Sequence, residues 1–508
     1  MALILASVGC RGRAGKQLGP SLTPETWANA ANASTCASAP LVGSHRTYEV
    51  GPGKALPDLD GVPWMALEAG DVVNIYFRPE PYRTKIGLRA SGTEKAPVVI
   101  NGVTDAECHR PVIDGKGAAT AHDAARESFF SEKYSEFLGA IFIYRGPQDP
   151  YAYKPRHIQI RNLKITGAAK GNPYTSQAGR PGVYSDGAGG IYAIVVEHLL
   201  VENCEITGNG NGVFVNTRND TEEDASRDIV IRRNLIYRNG TPGSYLDHNL
   251  YVQAQGVLYE GNYIGQLVGG AEGSSLKDRS SGTVVRYNRI DAAARALDLV
   301  ESEGGGSSVV KDPNYNSAWV YGNLIIDDLA SPGTSSELLI HWGGDNNPAL
   351  FRRGTLHFYY NTVVTRANRH STWRIHIFDL PTDEQRVEAR GNIFFHGGDT
   401  HYQLLAHAGV LDFVGTNWIE EGWEQGREGA KVHVNVTGKL IEGADPGFRD
   451  LGGGNFTLNN GSPAIDAGDV SPPPELAAHW VGFEYRANAS PAPRTRHGAA
   501  YDLGAFEF

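Results

Sequence analysis

Short apolar runs with an asparagine near the middle recur along this chain. Eight of them, spaced 26 to 41 residues apart, are centred on Asn162, Asn203, Asn234, Asn262, Asn288, Asn323, Asn361 and Asn392. The β-branched and aromatic residues around each asparagine, as in IRNLKI and FYYNTVV, predict a strand at every copy. A unit that recurs every ~20–50 residues is typical of proteins whose successive units bury each other's apolar faces. The pattern therefore predicts a β-solenoid.

The repeated asparagine indicates a turn at a fixed point between strands. Its short amide side chain tolerates the left-handed backbone region and forms hydrogen bonds with nearby backbone groups. Copies in successive coils are therefore expected to stack as a ladder. We expect Asn234, Asn262, Asn288 and Asn323 to be internal, with their amides satisfied by neighbouring coils.

A second set of strands precedes several of these asparagines. Side chains alternate along a strand, so the buried aliphatic residues determine which residues face outward. The strands HNLYVQ, SSLKDR, ALDLVE, LLIHWG and RIHIFDL then share one outer face, which carries Tyr251, Lys277 with Arg279, Asp298, His341 and His376. Tyr251 and Lys277 each precede the next asparagine by 11 residues (262 − 251 and 288 − 277), which predicts that they lie ~4.8 Å apart on adjacent coils.

Each of these side chains has an ordinary structural explanation when it is taken alone. An outward lysine or arginine is usually solvated, and a histidine beside a tryptophan, such as His341, is often a packing residue. Their location together on one face in the middle coils favours a functional surface.

The composition restricts the ligands that such a surface would bind. The 508 residues include 62 glycines and carry a formal net charge of −11. No basic field covers the chain, so the sequence does not favour nucleic-acid binding. An acidic glycan would still bind where lysines and arginines cluster in one groove. Past the N-terminus no run approaches the ~20 apolar residues of a membrane helix. We expect a monomer without a membrane span.

The N-terminus MALILASVGC indicates export. A short apolar run that ends at Cys10 resembles a bacterial lipoprotein signal or the end of a secretory signal, although a locally packed or disordered leader is the alternative. Residues 11–42 are rich in small residues and predict a linker. We expect a secreted or bacterial cell-envelope protein, with a lipid anchor at Cys10. Outside the cytoplasm Cys36 and Cys108 would be able to pair.

Both ends of the body resemble a known group of proteins. VGPGKA, ALEAGDVVNI and SGTEKAPVVI occur between residues 48 and 103, and GNFTLNNGSPAIDAGD and YDLGAFEF occur near the other end. These segments resemble the first and last coils of secreted, pectate-lyase-like proteins. The resemblance spans about residues 48–508 and implies a single-stranded right-handed parallel β-helix. We expect a leader and linker at 1–42, the β-helix at 43–470, and a C-terminal cap with a terminal strand at 471–508. One fold serves many chemistries, so this resemblance alone implies no activity.

The segment GAEGSSLKDRSSGTVVRYNRI is similar to the alginate and chondroitin lyases of the chondroitinase-B-like family. That family has a calcium-binding glutamate five residues before a catalytic lysine, and Glu272 and Lys277 match this spacing. The resemblance therefore implies Ca²⁺ as a cofactor. The family's second calcium-binding glutamate would fall at Gly270, and its catalytic arginine at Glu301.

These departures leave the catalytic arginine open. Either Arg279 or Arg295 takes its role, or the lyase activity is absent. The glycine-rich flank around Gly269 and Gly270 would let a chain-like substrate approach the strands closely.

β-Elimination from a uronate-containing polysaccharide requires a base, a cation that offsets the substrate carboxylate, and an acid. We expect Lys277 to be the base, because the Arg279 cation ~7 Å away disfavours a second positive charge. Arg279 would bind the carboxylate, and His248 or Tyr251 would protonate the leaving oxygen. The residues expected to bind the substrate are Asp298, His341, Arg295 and His376.

Two other classes of function remain open. A glycoside hydrolase needs two carboxyl groups that face one cleft, and Asp298 with Glu301 or Glu303 are the candidates. A non-catalytic glycan-binding or surface protein would use the same long face only for binding.

Overall fold

The computed structural model describes residues 38–120, 135–146, 148–218, 221–303, 307–328, 336–370, 372–487 and 490–508. Cys10 and Cys36 lie outside the described residues. Cys108 is disulfide-bonded. Within the described ranges, no helix combines the length and the apolar character needed to cross a membrane.

Three long sheets run side by side, and most coils add one strand to each. The chain passes from sheet 1 through a tight turn to sheet 3, then to sheet 2, and back to sheet 1. Apart from one antiparallel pair at an end of sheet 2, the strands of these sheets pair in parallel. The protein is a single-stranded right-handed parallel β-helix, which confirms the predicted fold class.

The strands of the three sheets are given in spatial order. Sheet 1 contains β1 (Thr47–Val50), β2 (Val72–Tyr76), β4 (Val98–Val103), β8 (Arg156–Arg161), β13 (Glu197–Glu202), β16 (Arg227–Arg232), β19 (Gln255–Glu260), β22 (Ser281–Arg286), β25 (Ser317–Tyr321), β28 (Thr355–Tyr359), β31 (Arg386–Arg390), β34 (Ala408–Phe413) and β36 (Lys431–Val436). Sheet 2 contains β11 (Pro181–Val183), β10 (Pro173–Thr175), β6 (Ala118–Thr120), β3 (Thr84–Leu88), β7 (Gly139–Ile143), β12 (Gly189–Ile194), β15 (Asn211–Asn216), β18 (Leu250–Val252), β21 (Leu276–Asp278), β24 (Leu297–Leu299), β27 (Glu337–Trp342), β30 (Arg374–Asp379) and β33 (His401–Leu405). Sheet 3 contains β37 (Leu440–Gly443), β35 (Asn417–Glu420), β32 (Ile393–His396), β29 (Thr362–Thr365), β26 (Leu324–Asp327), β23 (Arg289–Asp291), β20 (Tyr263–Ile264), β17 (Leu235–Tyr237), β14 (Glu205–Thr207), β9 (Lys164–Thr166) and β5 (Val112–Asp114).

The remaining elements are short. They are two hairpins, β38 (Phe448–Asp450) with β39 (Asn455–Leu458) and β40 (Phe483–Glu484) with β41 (Ala492–Pro493), one helical turn at Ser307–Val310, and 3₁₀ turns at Leu59–Gly61, Trp64–Ala66, Glu222–Asp224, Pro348–Leu350 and Pro474–His479.

The inner face of sheet 2 shows how the coils stack. The strand register aligns one inward residue per coil, and each of these is fully buried: Val213, Leu250, Leu276, Leu297, Ile340 and Phe378. Burying such a side chain contributes ~1.5–3 kcal/mol relative to leaving it exposed. The residues next to them in the same strand must therefore face outward.

The asparagines form the predicted ladder in the turn between sheets 1 and 3. The Nδ2 of Asn288 donates to the Oδ1 of Asn323 at 3.0 Å, and the Nδ2 of Asn262 donates to the Oδ1 of Asn288 at 2.9 Å. The same contact continues through Asn361 and Asn392 and reaches Asn417, which the sequence pattern did not reveal. The four asparagines singled out from the sequence are buried, as predicted.

The left-handed backbone position differs from the expectation in most coils. Asn162 and Asn203 have positive φ angles themselves, of 59° and 51°. From Arg233 to Gly391 the residue before the ladder asparagine has the positive φ angle, as at Tyr287 with 55° and Gly322 with 64°. The amide of the asparagine then donates to the next asparagine of the stack and, at Asn288 and Asn323, also to the carbonyl two residues earlier in its own turn.

The C-terminal segment also differs from the expectation. Parallel pairing ends at Leu440–Gly443, and residues 501–508 form no strand. Leu503 packs with Leu324, Ile326 and other apolar residues of sheet 3, so the segment runs back along the outside of the helix. The outer face of sheet 3 is apolar where the C-terminal segment packs on it. A strand added at the end of the β-helix would leave this apolar face exposed to solvent.

Candidate functional site

The register of sheet 2 places most of the predicted residues in a single outward row. Tyr251 pairs with Lys277, Lys277 with Asp298, and Asp298 with His341. The next member is Asp379. We call these five residues the outer row. The prediction that His376 continues the row is wrong.

His376 pairs with Leu338, three positions earlier along the strand than the His341–Asp379 pair. His341 and Asp379 both stand 18 residues after the ladder asparagine of their own coil (341 − 323 and 379 − 361). The sequence therefore contained a signal for Asp379, which the alternation of apolar residues alone did not reveal.

Lys277 is surrounded by carboxylates. Its Nζ lies 2.5 Å from the Oδ2 of Asp298 and 3.2 Å from the Oδ2 of Asp345. Arg279 follows the end of its strand, and its Nη2 lies 3.5 Å from the same Asp345 oxygen. The sequence led us to expect two neighbouring cations without compensation. Instead, Asp345, which lies 68 residues beyond Lys277, neutralises both.

Asp298 is the centre of the site. Its Oδ1 lies 2.9 Å from the Nδ1 of His341, and its Oδ2 accepts hydrogen bonds from Lys277 and from the Ser274 hydroxyl at 3.3 Å. Burial acts to raise the pKa of Asp298, but Lys277 and His341 outweigh it and hold this pKa well below its usual range. Asp298 is therefore a fixed anion that orients the His341 ring through its contact with Nδ1.

Asp379, the last residue of the outer row, connects the row to His407, whose side chain is more exposed. Its Oδ1 lies 2.6 Å from the Nδ1 of His407, and its Oδ2 lies 3.5 Å from the Nη2 of Arg295 and 4.0 Å from the Nε2 of His341. Burial opposes ionisation, but the hydrogen bond from His407 helps to hold the pKa of Asp379 below its usual range. The same hydrogen bond raises the pKa of His407.

Tyr251 and His248 form the other end of the site. The Tyr251 ring stacks on Phe214 with a centroid distance of 4.8 Å, and its hydroxyl donates to Glu303 at 2.9 Å. Burial raises the pKa of Tyr251, so its phenol remains protonated. The Ser274 N–H donates to the Nδ1 of His248, whose ring centroid lies 5.8 Å from that of Tyr251.

The strand after His248 begins only at Leu250, so this histidine adjoins the outer row. Burial, together with the charge of Lys277, lowers the pKa of His248 to about 3. It is therefore a neutral imidazole with its proton on Nε2.

Glu301 has a structural role. It is almost fully buried, and its carboxylate accepts 2.7 Å hydrogen bonds from the backbone N–H groups of Asp345, Asn346 and Asn347. These bonds hold the loop that brings Asp345 to Lys277. A carboxylate occupied in this way is not available as the second catalytic group of a hydrolase.

The residues around Glu272 do not fit a calcium site. Calcium requires several oxygen ligands close together, whereas Glu272 is exposed. Among the described residues, a group of three side chains with ligand atoms within 4.8 Å of one another occurs at Asp105, Glu107 and His109, on the first coils. We therefore derive no step of the chemistry from calcium.

A groove of about 350 Å³ lies beside the outer row. It is lined by Ser336, Leu338, Trp373, Arg374, His376, Ala406, His407 and Arg427. His407 connects the groove to the outer row through Asp379. The outer face of sheet 2 thus has a charged row and an adjoining groove.

A match to a family model supports the fold. A family model described as right handed beta helix region matches residues 140–330. Among solved structures, the chain is similar to the GH136 lacto-N-biosidase from Eubacterium ramulus, in its native and selenomethionine forms. The sequences are 10% identical, the match covers 78% of this chain and 68% of that chain, and the TM-score is 0.34. No curated protein matches the chain.

Proposed function

We propose that the protein cleaves a uronate-containing polysaccharide by β-elimination on the outer face of sheet 2. The observation that supports this proposal is the contact of Asp298 with both His341 and Lys277. Through Asp298, the oriented imidazole of His341 lies next to the Lys277 cation. Both belong to the outer row, which also includes Tyr251.

The substrate carboxylate would bind to Lys277 and Arg279. Asp345, whose side chain is 28% exposed, already bridges these two cations with one carboxylate oxygen. A substrate carboxylate would take the place of Asp345 and form charge-assisted hydrogen bonds with both groups. Withdrawal of charge from the carboxylate makes the proton on the adjacent carbon, C5, more acidic.

His341 would then be the base, in place of the expected Lys277. Its Nε2 accepts the C5 proton, while Asp298 stabilises the imidazolium that forms. The electron pair of the C5–H bond forms the C4–C5 double bond, and the C4–O bond breaks. The Tyr251 hydroxyl donates its proton to the leaving oxygen, so that the products are a new chain end and an unsaturated uronate.

Hydrolysis by two carboxyl groups is the second candidate function. Asp298 and Asp379 lie on either side of His341, two strands or ~10 Å apart along the sheet, which is close to the separation in inverting glycosidases. One of the two groups would have to be protonated near neutral pH. The pKa values of both are held low, which favours elimination.

A panel of uronic-acid polysaccharides tests the proposal. We expect at least one polysaccharide to give the ultraviolet absorbance of an unsaturated uronate, and we expect His341→Ala to abolish most of it. New reducing ends without this absorbance would show hydrolysis. Binding without either product would show a glycan-binding protein and would overturn the proposal.

A further inference from the structure

The groove beside the outer row is lined by two arginines, Arg374 and Arg427. Arg279 and Arg295 in the outer-row region face carboxylates. By contrast, neither Arg374 nor Arg427 forms an ion pair with any residue that the structure describes, and both line the groove. Arg427 is exposed and Arg374 is half-buried. Two guanidinium groups in one groove, neither within ion-pair distance of a described carboxylate, favour an anionic ligand.

The groove also has an exposed aromatic ring. Trp373 is 54% exposed, although large apolar side chains are usually buried in this protein. One side of its ring lies near His401, with a centroid distance of 5.4 Å. Leu338 and Ala406 add apolar surface to the lining. A ligand for this groove must therefore have an apolar face as well as a negative charge.

A buried polar atom adds a third requirement. His376 is only 4% exposed, and its Nδ1 lies 2.8 Å from the Ser336 hydroxyl oxygen. Its Nε2 is buried and has no hydrogen-bond partner in the described part of the chain. Burial lowers the pKa of His376 to about 4, against a smaller opposing effect of Gln403, so the ring is neutral. An unsatisfied buried polar atom is unfavourable, and a ligand hydroxyl would provide its missing hydrogen bond.

We propose that the groove is a subsite for one acidic sugar unit, with Arg374 and Arg427 binding its carboxylate, Trp373 packing against the face of its ring, and the Nε2 of His376 bonded to one of its hydroxyl groups. A uronic acid meets all three requirements, because it combines a carboxylate, hydroxyl groups and the C–H face of a pyranose ring. The inference rests on the proposed function, because it takes the occupant to be a unit of the glycan that the outer row cleaves.

The position of the groove agrees with this assignment. His376 lies three residues from Asp379 on the same strand, ~10 Å along the strand. His407 contacts Asp379 and also lines the groove. A glycan that runs across sheet 2 would therefore place one unit at His341 and another in the groove, where it would set the register of the chain at the outer row.

Binding of single sugars tests the subsite without any turnover. The probes are three matched pairs, namely D-galacturonate with D-galactose, D-glucuronate with D-glucose, and D-mannuronate with D-mannose, measured on the full chain by ligand-observed NMR. We expect at least one uronate to bind more tightly than its neutral partner. The double variant R374A/R427A should weaken this binding ~10-fold or more, because hydrogen bonds to charged groups contribute ~1.5–3 kcal/mol.

Three further variants make the test specific. Trp373→Ala should remove the NMR contacts to the sugar ring protons. R374K/R427K keeps both charges and should retain part of the affinity. Arg486→Ala removes an exposed arginine of the C-terminal segment, away from the groove, and should leave binding unchanged. Equal binding of every uronate and its hexose, or full affinity in R374A/R427A, would overturn the subsite.

The outcome separates the subsite from the proposed function. Single sugars have no glycosidic bond to cleave, so their binding does not depend on the chemistry at His341. Uronate binding that is lost in R374A/R427A, without elimination on any polysaccharide, would support the subsite and contradict the lyase. Elimination with unchanged uronate binding in R374A/R427A would support the lyase and overturn the subsite.

Discussion

The asparagine ladder and the outer row are built on the same backbone repeat but differ in composition. Both place one side chain per coil in a stack with a spacing of ~4.8 Å. The ladder uses the same residue in every coil from Asn234 to Asn417, and each amide makes the same contact with the next. The outer row has a different residue in most coils, from Tyr251 through Lys277 to Asp379.

This difference separates the residues that stabilise the fold from the residues that form the candidate site. An asparagine donates through one end of its amide and accepts through the other, so identical copies satisfy each other without limit. Charged side chains of one sign would repel each other in such a stack. The outer row therefore alternates charges and depends on partners from distant parts of the chain, such as Asp345 and His407.

Replacement of the base should have the largest effect. For His341→Ala we expect a ~10²–10⁴-fold lower rate of elimination, the usual contribution of a positioned acid or base. The rate is measured as the ultraviolet absorbance of the unsaturated product.

The matched control is His357→Ala, on sheet 1, where the ring stacks on Trp319 with a centroid distance of 4.0 Å. This variant should keep the normal rate. A rate above one tenth of normal in His341→Ala would show that the outer row has a different base.

Asp298→Asn should destabilise the outer row. Removal of one partner of a buried ion pair costs ~3–5 kcal/mol, because Lys277 loses its shortest contact. The free energy of unfolding, measured in denaturant at neutral pH, should fall by that amount. The exposed Asp383→Asn, which removes the same charge elsewhere, should change it by less than ~0.5 kcal/mol. An equal effect of both variants would show that the Asp298 ion pair does not stabilise the fold.

The pH dependence of Asp298→Asn has a defined sign. The folded pKa of Asp298 is lower than the unfolded value, so its stabilising effect is present above about pH 4 and is lost as the pH falls further. Unmodified protein should therefore lose more stability than the variant between about pH 5 and pH 2. Parallel stability curves would contradict the low pKa.

Disruption of the ladder should have a smaller effect that is confined to stability. Asn288→Leu leaves the Asn262 amide and backbone N–H without their acceptor, and we expect a loss of ~1–3 kcal/mol in the free energy of unfolding. Asn314→Leu, at an exposed asparagine outside the ladder, is the control and should be close to neutral. A neutral result for Asn288→Leu would show that the ladder does not stabilise the coils.

Glu272→Gln should have the smallest effect. Its side chain is exposed, so we expect a change of less than ~0.5 kcal/mol in stability. The elimination rate should change less than about two-fold, since substitutions away from the site are usually neutral. Assays with added calcium chloride and with a chelator measure this directly. A rate that needs calcium in the unmodified protein, and that Glu272→Gln lowers even with calcium added, would restore Glu272 as a metal ligand.

Much of this organisation could be predicted from the sequence because it depends on local patterns. The alternation of apolar and polar residues placed Tyr251, Lys277, Asp298 and His341 on one face, and the strand register confirms that prediction. The pattern failed at His376, where several consecutive residues are buried and alternation no longer identifies the outward face.

The charge environment could not be predicted in the same way. Asp345 reaches Lys277 only because Glu301 holds three backbone N–H groups of its loop. Loop conformation depends on such tertiary contacts, and neither periodicity nor spacing encodes them. For this reason the sequence did not reveal that Asp345 contacts both Lys277 and Arg279.

The sequence by itself determined the solenoid, the asparagine ladder and the parity of most outward residues, because a parallel coil repeats its burial pattern locally and each copy strengthens the prediction. Only the tertiary structure decided which charges meet. Ion pairs, the groove between Arg374 and Arg427, and the cover that Leu503 provides for sheet 3 join residues far apart in the chain. Their contacts depend on loop lengths and packing, which vary from coil to coil.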